Sequence, residues 1–180
     1  MNRILLLVVW TLLLTGCGIS IKSDSTEKIT TNDKYPQEAS VQSDDFIYKL
    51  YTEKEVYEEF EEITVYAELI YVGAQESIEI THSASPFYFP IEEQTRGIVI
   101  DYAMNDPEIH TTLVKDIPFK EKYFFAGGYS DQDDQQTIEF VKTIRDKGFP
   151  IGNYVVKGLA QFNQNETKYD LNVNVGFQVK

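Results

Sequence analysis

Cysteine and tryptophan are almost absent from this chain of 180 residues. Each occurs once, as Cys17 and Trp10, and both lie within the first 17 residues. With no thiol from residue 18 onward, an internal disulfide, a cysteine nucleophile and a cysteine-based zinc site are excluded there. The lack of tryptophan beyond Trp10 also argues against a sugar-binding platform built on indole rings.

Positive charge is also scarce. The chain has 16 lysine and arginine residues against 29 aspartate and glutamate residues, and its formal net charge is −13. Binding to nucleic acid requires cationic side chains that neutralise phosphates, so we expect no nucleic-acid partner. The same charge should hold the chain away from anionic lipid headgroups.

The N-terminus contains a short apolar run. Arg3 precedes it, and residues 4–14 (ILLLVVWTLLL) carry no charge. A membrane-spanning helix needs about 20 apolar residues, which is longer than this run. A positive start, a short apolar stretch and a small-residue exit are typical of a secretory signal peptide.

The run ends in Leu14-Thr15-Gly16-Cys17, which resembles the bacterial lipobox. The resemblance implies that residues 1–16 are a lipoprotein signal peptide and that cleavage occurs before Cys17. It also implies that the Cys17 thiol carries a diacylglyceryl group and that its amino group is acylated, for example with palmitate. Stable anchoring requires two or more such chains. We therefore expect an extracytoplasmic lipoprotein whose lipid on Cys17 anchors it to the bacterial cell membrane; a structural cysteine is the alternative.

The rest of the chain divides into two parts of different composition. Residues 17–43 are rich in Ser, Thr, Asp, Lys and Gln and lack hydrophobic density, which predicts a disordered tether after the lipidated cysteine. Residues 44–180 are long enough to fold as a single domain with its own core.

Residues 44–180 show repeated alternation of apolar and polar side chains. In EITVYAELIYV, for example, Val65, Ala67 and Leu69 share one face. About seven such segments, spaced as in a sandwich, predict an all-β, immunoglobulin-like β-sandwich. They are FIYKLY, EITVYAELIYV, SIEITHS, GIVIDYAM, KYFFAGG, NYVVKGLAQF and YDLNVNVGFQV.

One segment, DDQQTIEFVKTIRDKG, departs from this alternation. Its apolar residues recur at helical spacing, and basic residues crowd the last turn before Gly148. Asp133 and Gln136 resemble a capping box at its start. The segment predicts one short helix at about residues 134–147, between the fifth and sixth strands.

Two further features resemble known sandwich domains. Tyr154, just after a Pro-Gly turn, resembles the tyrosine corner of immunoglobulin-like sandwiches. Tyr57, Glu61 and the alternation that follows resemble the start of many bacterial extracytoplasmic immunoglobulin-like domains, with Phe60 at a position where glycine is usual. Together with GNY at residues 152–154, these features make most of residues 46–180 similar to the BsuPI-type proteinase-inhibitor domain. The resemblance implies the sandwich fold and offers protease inhibition as one possible function.

Patterns that indicate catalysis are missing. The sequence has no HExxH, paired-histidine or Gly-Xaa-Ser-Xaa-Gly motif, and we expect no cofactor. His82 and His110 are the only histidines, and acidic residues are abundant. An envelope hydrolase that uses carboxylates around either histidine therefore stays open as an alternative.

A calcium site is a further hypothesis. Asp131, Asp133 and Asp134 lie close together in SDQDDQQTIE, and clustered carboxylates suit Ca²⁺. The EF-hand spacing, however, requires glycine and glutamate where the chain has Gln136 and Lys142. Capping of the predicted helix would account for the same acids.

Three consecutive aromatic residues lie between two prolines in SPFYFPIEE. The prolines favour an edge or loop, where Phe87, Tyr88 and Phe89 could form a recognition surface. The alternative is that these rings cap the core.

These features together predict a membrane-anchored extracytoplasmic lipoprotein that acts as a non-catalytic binding module. Its partner would be a protein or an envelope component, met through the surface of Phe87–Phe89. Protease inhibition and hydrolysis are the two alternative functions.

Overall fold

The computed structural model describes residues 35–180; Cys17 and the predicted signal peptide lie outside this part. Within residues 35–180 the chain forms twelve β-strands and one α-helix, arranged as two sheets. The strands are β1 (Glu38–Ser43), β2 (Phe46–Thr52), β3 (Val56–Tyr57), β4 (Val65–Tyr71), β5 (Ser77–His82), β6 (Phe87–Tyr88), β7 (Ile91–Glu93), β8 (Ile98–Ile100), β9 (Ile109–Val114), β10 (Phe119–Lys122), β11 (Gly152–Gln164) and β12 (Thr167–Val179). The helix is α1 (Gln135–Lys147).

The small sheet has four antiparallel strands in the order β1-β2-β4-β10. Every second residue of β2 and β4 is buried. Because side chains alternate between the two faces of a strand, this pattern turns one face of the small sheet toward the core.

The large sheet is built on the hairpin of β11 and β12, which are 13 residues each. Asn165 lies in its tight turn with φ 53°, a left-handed conformation that asparagine tolerates. The other side of β11 pairs in succession with β7, β6 and β5. Strand β9 pairs with β5, β8 pairs with β7, and β3 pairs in parallel with β12.

The hydrophobic core lies between the two sheets and is rich in aromatic rings. Tyr154 stacks on Phe177 with ring centroids 5.0 Å apart, and Phe149 meets both rings edge-on. Aromatic pairs at such distances contribute about 0.5–1.5 kcal/mol beyond their burial. The Tyr154 hydroxyl donates to the Pro150 carbonyl oxygen at 2.6 Å, the hydrogen bond expected of a tyrosine corner.

The all-β sandwich predicted from the alternation is confirmed, but the strand count and the position of the helix were wrong. The helix lies after the tenth strand, between β10 and β11, rather than between the fifth and sixth. Five strands that the alternation did not indicate precede it, namely β1, β3, β6, β7 and β9. Strands β3, β6 and β7 have only two or three residues, and β9 buries only Leu113, so none shows a clear alternating pattern.

The folded domain begins earlier than residue 44. Residues 38–43 of the predicted tether form β1, which pairs with β2 along its whole length. Before β1, the Pro36 carbonyl oxygen accepts a hydrogen bond from the Gly176 N–H at 3.0 Å. Backbone pairing of a polar segment with strands on either side explains why composition alone placed the boundary too late.

The predicted helix is confirmed, with a different N-cap. Asp134 caps α1 by accepting from the Thr137 N–H at 2.7 Å, whereas Asp133 accepts from the Ser130 N–H in the preceding turn. Gly148 ends the helix with φ 115°, and its N–H donates to the Ile144 carbonyl oxygen. No helix within residues 35–180 is long and apolar enough to cross a membrane.

Candidate binding site

An open cleft of about 630 Å³ lies at one end of the small sheet. Three segments line it: residues 60–63, residues 122–125, and residues 144–149 at the end of α1. We call it the aromatic cleft because five rings contribute to its lining, those of Phe60, Tyr123, Phe124, Phe125 and Phe149. Ligand pockets typically have volumes of about 300–1,000 Å³, so the cleft has the size of a binding site.

The cleft forms where two neighbouring strands separate. The β4–β10 pairing includes Lys122 opposite Tyr66, and the Tyr123 N–H still donates to the Val65 carbonyl oxygen at 2.8 Å. Beyond this point Thr64 bonds to other partners: its carbonyl oxygen accepts from the Glu53 N–H and the Tyr57 hydroxyl. On the other side, the Ala126 carbonyl oxygen accepts from the Ala103 N–H. The two chain segments therefore diverge, because each is bonded to a different neighbour.

This divergence also corrects part of the predicted strand KYFFAGG. The structure ends β10 at Lys122, and residues 123–128 form no strand. The alternating pattern was suited to a strand, but the partner strand turns away. The apolar side chains that follow Lys122 consequently line a cleft rather than a continuous sheet.

Phe60 forms one wall of the cleft in a strained backbone conformation. Its φ is 65°, in the left-handed region that favours glycine, and its side chain is 38% exposed. Such a conformation costs a residue with a side chain about 1–3 kcal/mol. Phe60 is held there because its N–H donates to the Phe149 carbonyl oxygen at 3.0 Å. Gly148, with φ 115°, packs so closely on the Phe60 backbone that a β-carbon would lie 3.0 Å from the Phe60 carbonyl oxygen.

Phe124 forms the opposite wall and is 59% exposed. Its ring leans on Tyr102, with centroids 5.6 Å apart. Below it, Tyr123, Ile144 and Phe149 are buried and form an apolar floor. The cleft thus offers a ligand two exposed rings above a hydrophobic base.

The charged residues around the cleft are almost all paired. Glu61 pairs with Lys54, Glu62 with Lys122 at 2.6 Å, and Asp146 with Arg145 at 2.8 Å. These hydrogen bonds hold the pKa of each of the three carboxyl groups below its ordinary value.

Lys147 is the exception among these charges. Lys147 forms no salt bridge within residues 35–180, although its charge helps to lower the pKa of the neighbouring Asp146. Its Nζ lies 5.9 Å from the centre of the Phe60 ring. Within the described part of the chain, the cleft therefore keeps one lysine that forms no salt bridge, next to the Arg145–Asp146 pair.

The aromatic surface predicted at Phe87, Tyr88 and Phe89 is not formed. Phe87 and Phe89 are fully buried, and only Tyr88 is partly exposed. Phe87 stacks on Tyr48 and Phe119, and Phe89 packs on Tyr102 and Tyr123. The flanking prolines do not confine this segment to the surface, because β6 and β7 pair with the central strand β11.

The calcium candidates serve local structure. Asp134 and Asp133 accept backbone hydrogen bonds at the start of α1, as described above, and Asp131 is exposed. Within residues 35–180 no group of three or more histidine, cysteine or acidic side chains is arranged to hold a metal ion.

The two histidines lie on adjacent strands and face opposite sides of the large sheet. His82 is buried, and its ring nitrogens contact the Ser83 carbonyl oxygen at 2.7 Å and the Thr111 hydroxyl at 2.8 Å. His110 is exposed and contacts Glu79 at 3.0 Å, a hydrogen bond that raises the pKa of His110. With both its nitrogens occupied, His82 has no free nitrogen to offer a substrate.

Among the cleft residues, only Phe60 departs from an expected sequence pattern, and that departure alone does not indicate a site. Phe60 stands at a position where glycine is usual, and its φ lies in the left-handed region that favours glycine. Phe124 belonged to a predicted strand, and Lys147 to the last turn of a predicted helix. Their proximity depends on tertiary structure, so no spacing in the sequence indicated it.

No protein-family model matches this chain, and no curated protein matches it.

Proposed function

We propose that this chain is a lipid-anchored, extracytoplasmic binding module that captures a protein or envelope ligand in the aromatic cleft without transforming it chemically. The observation that carries the proposal is the pair of exposed rings, Phe60 and Phe124, on opposite walls of a ligand-sized cleft. Exposed apolar patches of this kind mark binding sites on proteins that otherwise bury such side chains.

The backbone at Phe60 supports a functional role for that ring. Glycine at this position would adopt φ 65° without strain, yet the chain has a bulky aromatic residue there. Strained residues of this type persist mainly where the side chain serves a site. We infer that the Phe60 ring serves the binding site, and that this role offsets the free energy that the strained backbone costs.

Lipid on Cys17 supplies the location in this proposal. The acyl chains hold the N-terminus at the membrane, and the segment between Cys17 and Tyr35 connects them to the domain. The domain then meets its ligand at the outer face of the membrane.

Ligand capture by the full chain in lipid nanodiscs tests the proposal. Two ligand sources are offered, a phage-displayed random peptide library and insoluble bacterial cell-wall sacculi. We expect reproducible binding to at least one source, weakened about tenfold by both Phe60→Gly and Phe124→Ser. The captured peptide or wall fragment should be intact by mass spectrometry.

Ile117→Ser is the matched control. Ile117 is 59% exposed, as Phe124 is, but it does not line the cleft. Its replacement should leave binding unchanged. Denaturant unfolding of Phe60→Gly should stay within about 1 kcal/mol of the parent, because relief of backbone strain offsets the lost ring contacts. Equal binding by parent, Phe60→Gly and Phe124→Ser would refute the proposal, and so would chemical conversion of the ligand.

A further inference from the structure

We propose that the ligand of the aromatic cleft is an extended peptide segment of another protein, with a single acidic residue two positions from an aromatic one. This inference rests on the proposed function and names the class of ligand for the same site. Three features carry it: the unpaired backbone on the walls, the exposed rings and the unpaired lysine.

The walls of the cleft present backbone groups that a strand could use. The β4–β10 ladder ends at the bond from the Tyr123 N–H to the Val65 carbonyl oxygen. Beyond it, among residues 35–180, the backbone N–H groups of Phe124 and Phe125 donate no hydrogen bond, and neither do those of Glu62 and Ile63. In an extended segment successive N–H groups point to opposite edges, so one N–H of each pair can face a chain lying between the diverging segments. That chain would then meet one donor on each wall, as in recognition by strand addition.

The rings define what side chain the cleft favours. Phe60 and Phe124 face a common space above the buried Phe149, and both are exposed. An aromatic ring from a ligand can contact both walls edge-on or offset, and it removes apolar surface from water on all three sides. A strand presents alternate side chains to one face, so the bound ring and the residue two positions away both point into the cleft.

Lys147 determines the charge that the ligand should carry. The three acids lining the cleft form salt bridges with Lys54, Lys122 and Arg145, whereas Lys147 forms none among the described residues. A carboxylate beside the bound ring would pair with its ammonium group.

The net charge of the chain limits the number of such acids. With a formal charge of −13, the protein repels a strongly acidic ligand at long range. Screening confines this effect to roughly 10 Å at ordinary salt, so one acid in direct contact with Lys147 gains attraction, whereas an acidic run gains repulsion. The ligand should therefore carry one acid rather than several.

Synthetic peptides test this inference with the full chain in nanodiscs. The parent probe is a fluorescein-labelled octapeptide of alternating threonine and valine in which a central Asp-Thr-Phe segment replaces two of the valines, and its binding is followed by anisotropy. One comparison peptide has lysine in place of the aspartate, and one has serine in place of the phenylalanine. A third has alternate amide bonds replaced by trans-alkene isosteres, which removes the carbonyl oxygens that would accept from the cleft. We expect each change to weaken binding about tenfold.

A charge exchange makes the test specific to Lys147. In the Lys147→Glu variant the preference should reverse, so that the lysine peptide binds more tightly than the aspartate peptide. Lys115→Glu is the matched control, because Lys115 is exposed, forms no salt bridge among the described residues and lies outside the cleft. That variant should keep the parent preference.

Several outcomes would overturn the inference. A peptide with alkene isosteres that binds as well as the parent would show that no strand pairing occurs. An unchanged preference in Lys147→Glu would show that Lys147 does not bind the acidic residue of the peptide. A concentration-dependent dimer abolished by Phe124→Ser would show that a second copy fills the cleft. A large gain in affinity on replacing residues 18–34 by a Gly-Ser segment of equal length would show that the chain's own segment does so. Cleft-dependent binding of sacculi without binding of these peptides would refute this inference and leave the proposed function intact.

Discussion

At the residue scale, two aromatic side chains break local rules in different ways. Phe60 occupies a left-handed conformation that suits glycine, and it does so at the surface, beside the cleft. Tyr48 instead buries a hydroxyl that has no hydrogen-bond partner within residues 35–180. The Tyr48 hydroxyl fits only because Gly158 has no side chain, since a β-carbon there would collide with it. The first departure lies at the candidate site, whereas the second lies in the core.

Replacing Tyr48 by phenylalanine should stabilise the protein. A buried hydroxyl without a partner costs about 1–3 kcal/mol, and Tyr48→Phe removes it while keeping the ring that stacks on Phe87. We expect the free energy of unfolding to rise by about 1 kcal/mol, measured by denaturant titration. Burial also raises the pKa of Tyr48, which agrees with a hydroxyl that stays protonated.

Tyr154→Phe is the contrasting variant for this measurement. Its hydroxyl donates to the Pro150 carbonyl oxygen, so its removal should lower the free energy of unfolding by about 1 kcal/mol. Equal signs for the two variants would contradict the interpretation of Tyr48 as an unpaired group.

At the element scale, helix α1 reaches the cleft because a buried carboxylate ties it to the large sheet. Glu93 on β7 has a fully buried side chain and accepts from the N–H groups of Thr95 at 2.9 Å and Arg96 at 2.6 Å. The Arg96 guanidinium lies 5.1 Å from the centre of the Phe140 ring on α1 and donates to the Ile151 carbonyl oxygen. Arg96 therefore links the buried Glu93 to α1, the helix that carries Lys147.

Glu93 should make the stability depend on pH. Burial by itself raises the pKa of Glu93, but the hydrogen bonds from Thr95 and Arg96 outweigh it and hold the pKa below its ordinary value. A carboxyl whose pKa is lower in the folded state stabilises the fold above its unfolded pKa. That stabilisation is lost as the pH falls through the folded value.

The Glu93→Gln variant checks this argument. At neutral pH we expect it to lose about 2 kcal/mol of unfolding free energy, because two charge-assisted hydrogen bonds weaken. The difference from the parent should shrink as the pH falls below about 4, where the unfolded carboxyl is protonated. Glu92→Gln on the same strand is the control, since Glu92 pairs with Lys157 at the surface and should change stability by less than about 1 kcal/mol. A difference between Glu93→Gln and the parent that does not vary with pH would contradict the role of the charge.

At the scale of the whole molecule, the chain combines a strongly negative surface with a proposed lipid anchor. Residues 35–180 form nine ion pairs, most of them at the surface, where each contributes about 0–1 kcal/mol to the free energy of unfolding. The aromatic core therefore has to provide the stability of a domain that contains no cysteine. Removal of residues 1–16 would take away Arg3 and no acid, which makes the remaining chain more negative still.

Cys17→Ala should abolish anchoring. Without the thiol there is no acceptor for the diacylglyceryl group, so we expect an uncleaved precursor that fails to incorporate alkyne-labelled palmitate. Mass spectrometry of the N-terminus and membrane fractionation measure this, with Ser20→Ala as the neighbouring control. Normal cleavage before residue 17 and normal fractionation of Cys17→Ala would refute the lipobox assignment.

The sequence by itself determined the class of fold because its main signals are local. Alternation along β2 and β4, the helical spacing and Gly148 at the end of α1, and Tyr154 at its corner each depend on residues close together in the chain. Only the tertiary structure decided where the candidate site lies. The Phe87–Phe89 segment is buried because β6 and β7 pair with a strand some 70 residues away, and the cleft opens because Thr64 and Ala126 bond to different neighbours. Long-range pairing of this kind is set by the competition among many strands for partners, and no short stretch of sequence records its outcome.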